Sequence, residues 1–183
     1  MGNNKLTLRG KKLNLLIPEE EIKKKVSLLG ELINDYFPKN EPLIVVGLLK
    51  GSFVFVSDLV RAINRPTLVD FMVASSYRGT QSSGNVQIKK DLDFDIKGKN
   101  VLLVDDILDT GRTFKKVLEL LTLREPKILK TCVLLDKPSR RVLPIEADFV
   151  GFKIPDLFVV GYGLDWDELG RNLPSIYYLS EEG

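Results

Sequence analysis

Val101-Leu102-Leu103-Val104-Asp105-Asp106-Ile107-Leu108-Asp109-Thr110-Gly111-Arg112-Thr113 passes from consecutive aliphatic residues into carboxylates, hydroxyls and a glycine. Val101 to Val104 reads as a short strand covered on both faces, and the polar residues stand at its carboxyl end. Ligands bind at that end of an open α/β sheet, and a glycine turn opening a helix offers free backbone N–H groups to a phosphate. Thr110, Gly111 and Thr113 suit that task. Asp105 and Asp106 are adjacent on an extended chain, so their side chains are expected to point apart. They suit vicinal hydroxyls and a hydrated Mg²⁺, while Asp109 reaches a different part of the ligand. Helix capping needs one acceptor and leaves the remaining carboxylates and hydroxyls of the run unexplained. Neither Gly-x-x-x-x-Gly-Lys nor Gly-x-Gly-x-x-Gly occurs, which argues against a Walker loop and a dinucleotide fingerprint.

The flanks extend the same pattern. Phe114, Val117, Leu118 and Leu121 mark one face of a following helix, and Ile128 to Leu135 gives the next strand. Upstream, Leu43 to Leu49 is another buried-type strand, followed by a helix over Ser52 to Ile63. Leu13 to Ile17 is a short strand, and Pro18 with Glu19, Glu20 and Glu21 opens a helix running through Phe37. Its apolar face is expected to comprise Ile22, Val26, Leu29, Leu32, Ile33 and Tyr36. Further strands are expected at Leu68 to Val73, Phe149 to Phe152, Phe158 to Tyr162 and Ile176 to Leu179, with a polar loop from Ser75 to Asn85. Strands alternating with helices predict an α/β fold with a largely parallel sheet, and 183 residues suit a single domain, 1–183.

Composition narrows the chemistry. The chain has no histidine, which excludes histidine triads, histidine metal ligands and imidazole proton shuttles, so acid–base work falls to carboxylates, lysine or tyrosine. Its single cysteine, Cys132, lies in an apolar run and cannot form an internal disulfide. A net charge of +2 gives no general reason to expect nucleic acid or an anionic membrane as partner. The apolar runs are too short to span a bilayer and the N-terminus has no apolar signal region, so a cytoplasmic protein is expected.

The Val101–Thr113 run resembles the phosphoribosyl-diphosphate signature of the type I phosphoribosyltransferases: an apolar strand, two acids, two apolar residues, then Asp-Thr-Gly and a threonine. Leu49-Lys50-Gly51-Ser52 resembles that family's pyrophosphate loop, where a second glycine often stands in place of Ser52, and Ser76-Tyr77 resembles the start of its flexible lid. Lys137, Phe158-Val159-Val160-Gly161-Tyr162-Gly163-Leu164-Asp165 and Arg171 resemble the purine-binding and C-terminal segments of the hypoxanthine-guanine branch. The resemblance covers roughly Leu13 to Leu179. It implies a parallel sheet flanked by helices, with a small hood made from the N- and C-terminal segments.

The same resemblance implies the site roles. Asp109, Thr110, Gly111, Arg112 and Thr113 hold the 5′-phosphate, and Lys50, Gly51 and Arg171 hold pyrophosphate. Lys137 faces the exocyclic oxygen of a 6-oxopurine, Phe158 stacks on the ring, Val159 offers backbone groups, and Asp165 completes the purine subsite. Asp105, Asp106 and Asp165 are the expected Mg²⁺ and ribose carboxylates, and Asp109 the expected general base. Implied substrates are 5-phosphoribosyl 1-diphosphate and hypoxanthine or guanine, in a homodimer or homotetramer. A xanthine-preferring enzyme and an RNA-binding regulator of the same fold are the competing expectations.

Overall fold

A computed structural model of the chain describes residues 6–76 and 86–179. After the two-residue strand β1 (Thr7–Leu8) come β2 (Lys11–Ile17), α1 (Glu19–Tyr36), β3 (Leu43–Leu48), α2 (Phe53–Ala62), β4 (Thr67–Ser76) and β5 (Val86–Lys90). The chain continues through β6 (Asn100–Leu108), α3 (Arg112–Thr122), β7 (Ile128–Asp136), a 3₁₀ turn over Pro138–Arg140, β8 (Phe149–Lys153), β9 (Val159–Val160) and β10 (Ile176–Leu179).

The larger sheet has the order β5-β4-β3-β6-β7-β8, parallel throughout except for the antiparallel edge strand β5. Period-2 alternation divides its strands between two cores. Leu43, Val45, Leu102 and Val104 face α1 and α2, packing with Ile22, Leu29, Ile33, Phe55 and Leu59. Ile44, Val46, Val101 and Leu103 face the opposite side, with Phe114, Val117 and Leu121 of α3. Burial on both faces explains the apolar composition of β3 and of Val101–Val104 in β6. The smaller antiparallel sheet, β1-β2-β10-β9, joins the two ends of the chain as the expected hood.

Several expectations change. α1 begins behind Pro18 with its three glutamates in the first turn and stops at Tyr36, with extended Phe37 preceding Pro38. Leu32 and Tyr36 are exposed, so the packed face is narrower than the periodicity predicts. β6 does not stop at Val104: it runs on through Asp105 and Asp106 to Leu108, still paired with β7. The strand expected over Phe158 to Tyr162 shrinks to Val159–Val160, because Gly161, Tyr162 and Gly163 all have positive φ. β5 begins at Val86, where no strand was foreseen. Ser75 and Ser76, expected to open the polar loop and lid, instead end β4, paired with Gln87 and Val86 of β5, while the rest of the expected lid from Tyr77 lies outside the described residues. Among the described residues no helix is long and apolar enough to cross a membrane. Cys132 is fully buried, which pushes its thiol pKa up and leaves it inert.

Candidate active site

Parallel pairing of β3, β6 and β7 delivers the loops after all three strands to one edge of the sheet. The loop after β3 contains a cis peptide between Leu49 and Lys50. Ser52, where members of the resembled family often have a second glycine, has an ordinary right-handed backbone at φ −81° and donates its Oγ–H to Leu48 O at 2.6 Å. A serine therefore closes this turn without strain. Lys50 extends outward and pairs with Glu168 Oε2 at 2.8 Å.

Backbone approaches knit the segments together. A Cβ added to Gly51 falls 1.9 Å from Asp106 Oδ2, and one added to Gly163 falls 2.3 Å from Gly51 O. The loop after β3, the carboxylate on β6 and the turn after β9 thus meet with no room for a side chain between them. Gly163 also has φ +98°. Its carbonyl accepts a hydrogen bond from Arg171 NH1 at 2.8 Å. Arg171 Nη2 lies 3.2 Å from Asp165 Oδ1 and 3.4 Å from Glu168 Oε1, while its buried Nε has no partner among the described residues. A buried orphan donor on a guanidinium is a ready contact for an anion.

Asp105 and Asp106 keep part of their residue surface open, but their carboxyl groups are enclosed, and the side chains do not diverge. Each accepts the N–H of the next residue, Asp106 N at 2.9 Å and Ile107 N at 2.7 Å, and the two carboxyls interact directly. Turning back onto the backbone brings them together in spite of strand alternation. Burial first, then the charge of Asp106, pushes the Asp105 pKa well up; burial also raises Asp106, partly offset by Asp105 and by Arg171. A carboxyl with a raised folded-state pKa contributes stability that is intact below the unfolded value and lost as pH climbs through the raised value. Asp105→Asn is therefore expected to raise Tm at neutral pH in metal-free buffer, about 2–4 °C for each kcal/mol relieved, with the gain shrinking toward acid. A variant that melts lower than its parent at neutral pH contradicts this.

Among the described residues no three His, Cys, Asp or Glu side chains gather closely enough to hold a metal ion. The expected trio is thus not assembled, because Asp165 is drawn to Arg171 and accepts the Glu168 N–H at 2.8 Å. The Asp105–Asp106 pair alone fits Mg²⁺, which keeps several waters and takes only one or two carboxylates beside substrate phosphates. A cation there also offsets the repulsion of the pair.

Beyond β6, Gly111 is the N-cap of α3 with φ +86° and contributes no side-chain cap. An added Cβ would lie 2.6 Å from Ile145 Cγ2, so both the turn and the space demand glycine. The first intrahelical acceptor is Gly111 O, reached by Lys115 N at 2.9 Å, which leaves the earlier amides of the turn open to a ligand. Arg112 is exposed at the first helical position, and Thr113 is half-buried behind it. Asp109 Oδ1 accepts from Arg140 Nε at 3.2 Å.

Lys137 follows β7 directly. Its side chain is only 9% exposed, and its one ion-pair partner among the described residues, Asp156, stands 3.9 Å away. Phe158 is 52% exposed, an open ring face held edge-on by Trp166 at 6.4 Å between centroids. Trp166 in turn lies beneath the Arg9 guanidinium, 5.2 Å from its ring centroid. Val159 is buried in β9 and paired with Tyr178. Sequence reasoning missed Glu168, Arg9, Trp166 and Arg141; the Arg140–Arg141 doublet after Lys137 was the only visible signal.

A phosphoribosyl transferase domain model matches residues 17–167. The chain belongs to the phosphoribosyl transferase family. A curated relative from Aquifex aeolicus, a hypoxanthine-guanine phosphoribosyltransferase, is 57% identical over 95% of this chain and 98% of its own length. The hypoxanthine phosphoribosyltransferase of Salmonella typhimurium is 51% identical over 90% of this chain and 93% of the relative. A crystal structure of a hypoxanthine-guanine phosphoribosyltransferase from Bacillus anthracis, 45% identical, superimposes with a TM-score of 0.87 over 91% of this chain and 98% of that one. The architecture is the type I phosphoribosyltransferase fold, and the hood over its sheet edge is the small antiparallel sheet of β1, β2, β9 and β10.

Proposed function

We propose that this phosphoribosyltransferase moves the 5-phosphoribosyl group from 5-phosphoribosyl 1-diphosphate onto hypoxanthine or guanine, giving IMP or GMP and pyrophosphate. The observation that carries this reading is the convergence of Gly51, Asp106 and Gly163 beside an uncapped α3 N-terminus, with a buried lysine at the end of β7. A sugar flanked by two anionic groups needs two donor clusters with acidic groups between them, and this edge supplies that order.

The reaction demands stabilisation of separated charge. The open amides of the Thr110–Thr113 turn hold the 5′-phosphate, and the Lys50–Gly51 backbone with Arg171 takes the diphosphate. Glu168 bridges Lys50 and Arg171, the two cations proposed to meet the leaving anion. Asp105 and Asp106 accept hydrogen bonds from the ribose hydroxyls and lie near the cationic character that develops at the anomeric carbon. They would also hold Mg²⁺, which when bound neutralises the charge growing on pyrophosphate. Asp109 takes the proton that the purine gives up at N7 as N9 attacks.

Base selection rests on Lys137, Phe158 and Val159. A buried ammonium rewards a carbonyl oxygen and penalises the amino group of adenine, which leaves donor against donor. Asp165, held by Arg171, orients the segment that carries Phe158. The enzyme is proposed to work in the cytoplasm as a homodimer or homotetramer, with no nucleic-acid or membrane partner.

A purine panel with 5-phosphoribosyl 1-diphosphate and Mg²⁺ tests the reading. Pyrophosphate release with hypoxanthine or guanine, and at least about a hundredfold less with adenine, is the expected result. Silence with every base would overturn it, and a clear preference for xanthine would replace the substrate.

A further inference from the structure

We infer that Arg141 is a positioning residue for the phosphate turn, and that Asp136 aims it. Its guanidinium NH1 donates to Leu108 O at 3.0 Å and to Asp109 O at 2.6 Å. Nε donates to Ile145 O at 2.8 Å, and NH2 pairs with the Asp136 carboxylate. The two carbonyls belong to the residues where the chain leaves β6 for the Thr110–Thr113 turn. A planar fork with donors on every nitrogen can hold four acceptors at once, which a lysine ammonium on a flexible stem cannot reproduce.

The contact ties two subsites together. Asp136 immediately precedes Lys137, and Lys137 N–H also donates to Leu108 O, at 3.0 Å. The end of β7 that presents the base-reading lysine is thereby fixed to the start of the turn that meets the phosphate. The stem of Arg141 forms part of the floor of that turn, with Cδ only 3.2 Å from where a Gly111 Cβ would lie. Both side chains are shielded, at 13% and 9% exposure, so loss of either strands a charge and leaves backbone carbonyls unpaired. Its neighbour Arg140 differs, being 48% exposed, with its guanidinium paired to the side-chain carboxylates of Asp109 and Asp156. Phosphate capture by backbone amides works only while those amides converge, so freeing the two carbonyls lets the turn drift without removing any group that touches the ligand.

A cavity of 560 Å³ lined by Asp136, Arg141, Ile145 and Val150 opens beside the guanidinium. A small cation can therefore reach the place of a truncated Arg141 side chain. This inference rests on the proposed role of the Thr110–Thr113 turn, and the test separates the two. Steady-state kinetics of the full chain are measured for Arg141→Ala and Arg141→Lys, with and without sub-denaturing guanidinium chloride. Arg141→Ala is expected to raise KM for 5-phosphoribosyl 1-diphosphate far more than KM for the purine, with kcat/KM for the donor falling about a hundredfold. Guanidinium is expected to restore about tenfold of that loss in the alanine variant and to do nothing for the parent or the lysine variant. A loss of folding alone would be worsened by guanidinium, never rescued. Should Arg141→Ala not fold, Asp136→Asn decides instead, with about a tenfold rise in donor KM expected at unchanged circular dichroism. Donor kinetics within threefold of the parent, or no rescue in a folded alanine variant, overturns the role of Arg141. A parent chain that fails to bind the donor at all overturns the functional reading instead.

Discussion

Asp109→Asn is expected to lower kcat about 10²- to 10⁴-fold, the usual contribution of a positioned proton acceptor. Asparagine keeps the size and polarity of the side chain and its carbonyl oxygen still accepts the Arg140 N–H, so the turn is preserved. What disappears is the capacity to take the purine proton in a chain that contains no histidine to replace it. Affinity for the nucleotide product should change by less than about threefold, because the proposed phosphate contacts are backbone amides that the substitution does not touch. Rapid-quench or steady-state turnover, paired with calorimetric titration of GMP, checks both halves. An unchanged kcat rejects Asp109 as the base, and a parallel collapse of GMP affinity assigns it to binding.

Gly51→Ala is expected to cost about a hundredfold in kcat/KM for 5-phosphoribosyl 1-diphosphate, through displacement and not through loss of any contact. The new methyl group would need the space now occupied by Asp106 Oδ2, 1.9 Å away, so either the loop or the carboxylate must move by more than an ångström. Displacements of about that size at a reacting centre commonly cost two orders of magnitude. Gly51 O also abuts Gly163, so the shift passes to the turn that anchors Arg171. A contrasting substitution, Gly98→Ala, meets nothing within 4 Å among the described residues and should leave turnover intact, although its positive φ makes it mildly destabilising. Equal, small effects of the two substitutions would show that the close approach of Gly51 to Asp106 carries no functional constraint.

The parts of the fold readable from sequence are those whose environment leaves a compositional trace. β3, Val101–Val104 of β6 and Cys132–Leu135 of β7 are buried and read as apolar runs, and the amphipathic stripe of α3 gave Phe114, Val117 and Leu121 directly. The trace fails where function overrides it. Asp105 and Asp106 looked like the end of a strand because carboxylates replace apolar residues there, yet their backbone still pairs with β7. The segment from Phe158 looked like a strand through Tyr162, but three consecutive left-handed residues turn it toward Gly51. β5 alternates in burial as edge strands do, with Lys89 and Lys90 at its end, and its short mixed pattern merged with the polar loop before it.

Site residues were legible where a local motif holds them. Asp109 to Thr113 stand together in the sequence as they do at the head of α3. Glu168 and Arg141 were not, since the contacts that tie them to the site, Lys50 for Glu168 and Leu108 for Arg141, lie 118 and 33 residues away, and their nearer partners Arg171 and Asp136 read as ordinary local charge pairs. The divergence expected of Asp105 and Asp106 failed for a comparable reason: alternation describes side-chain directions, and each carboxylate bends back to the next N–H.

A crystal structure of the full chain soaked with a nucleoside 5′-monophosphate is the most direct measurement of the central claim that the 105–113 run grips a sugar phosphate. The account predicts phosphate oxygens about 2.7–3.2 Å from the amide nitrogens of the Thr110–Thr113 turn, with the ribose hydroxyls turned toward Asp105 and Asp106. A phosphate bound elsewhere, with those amides facing only solvent, would contradict it.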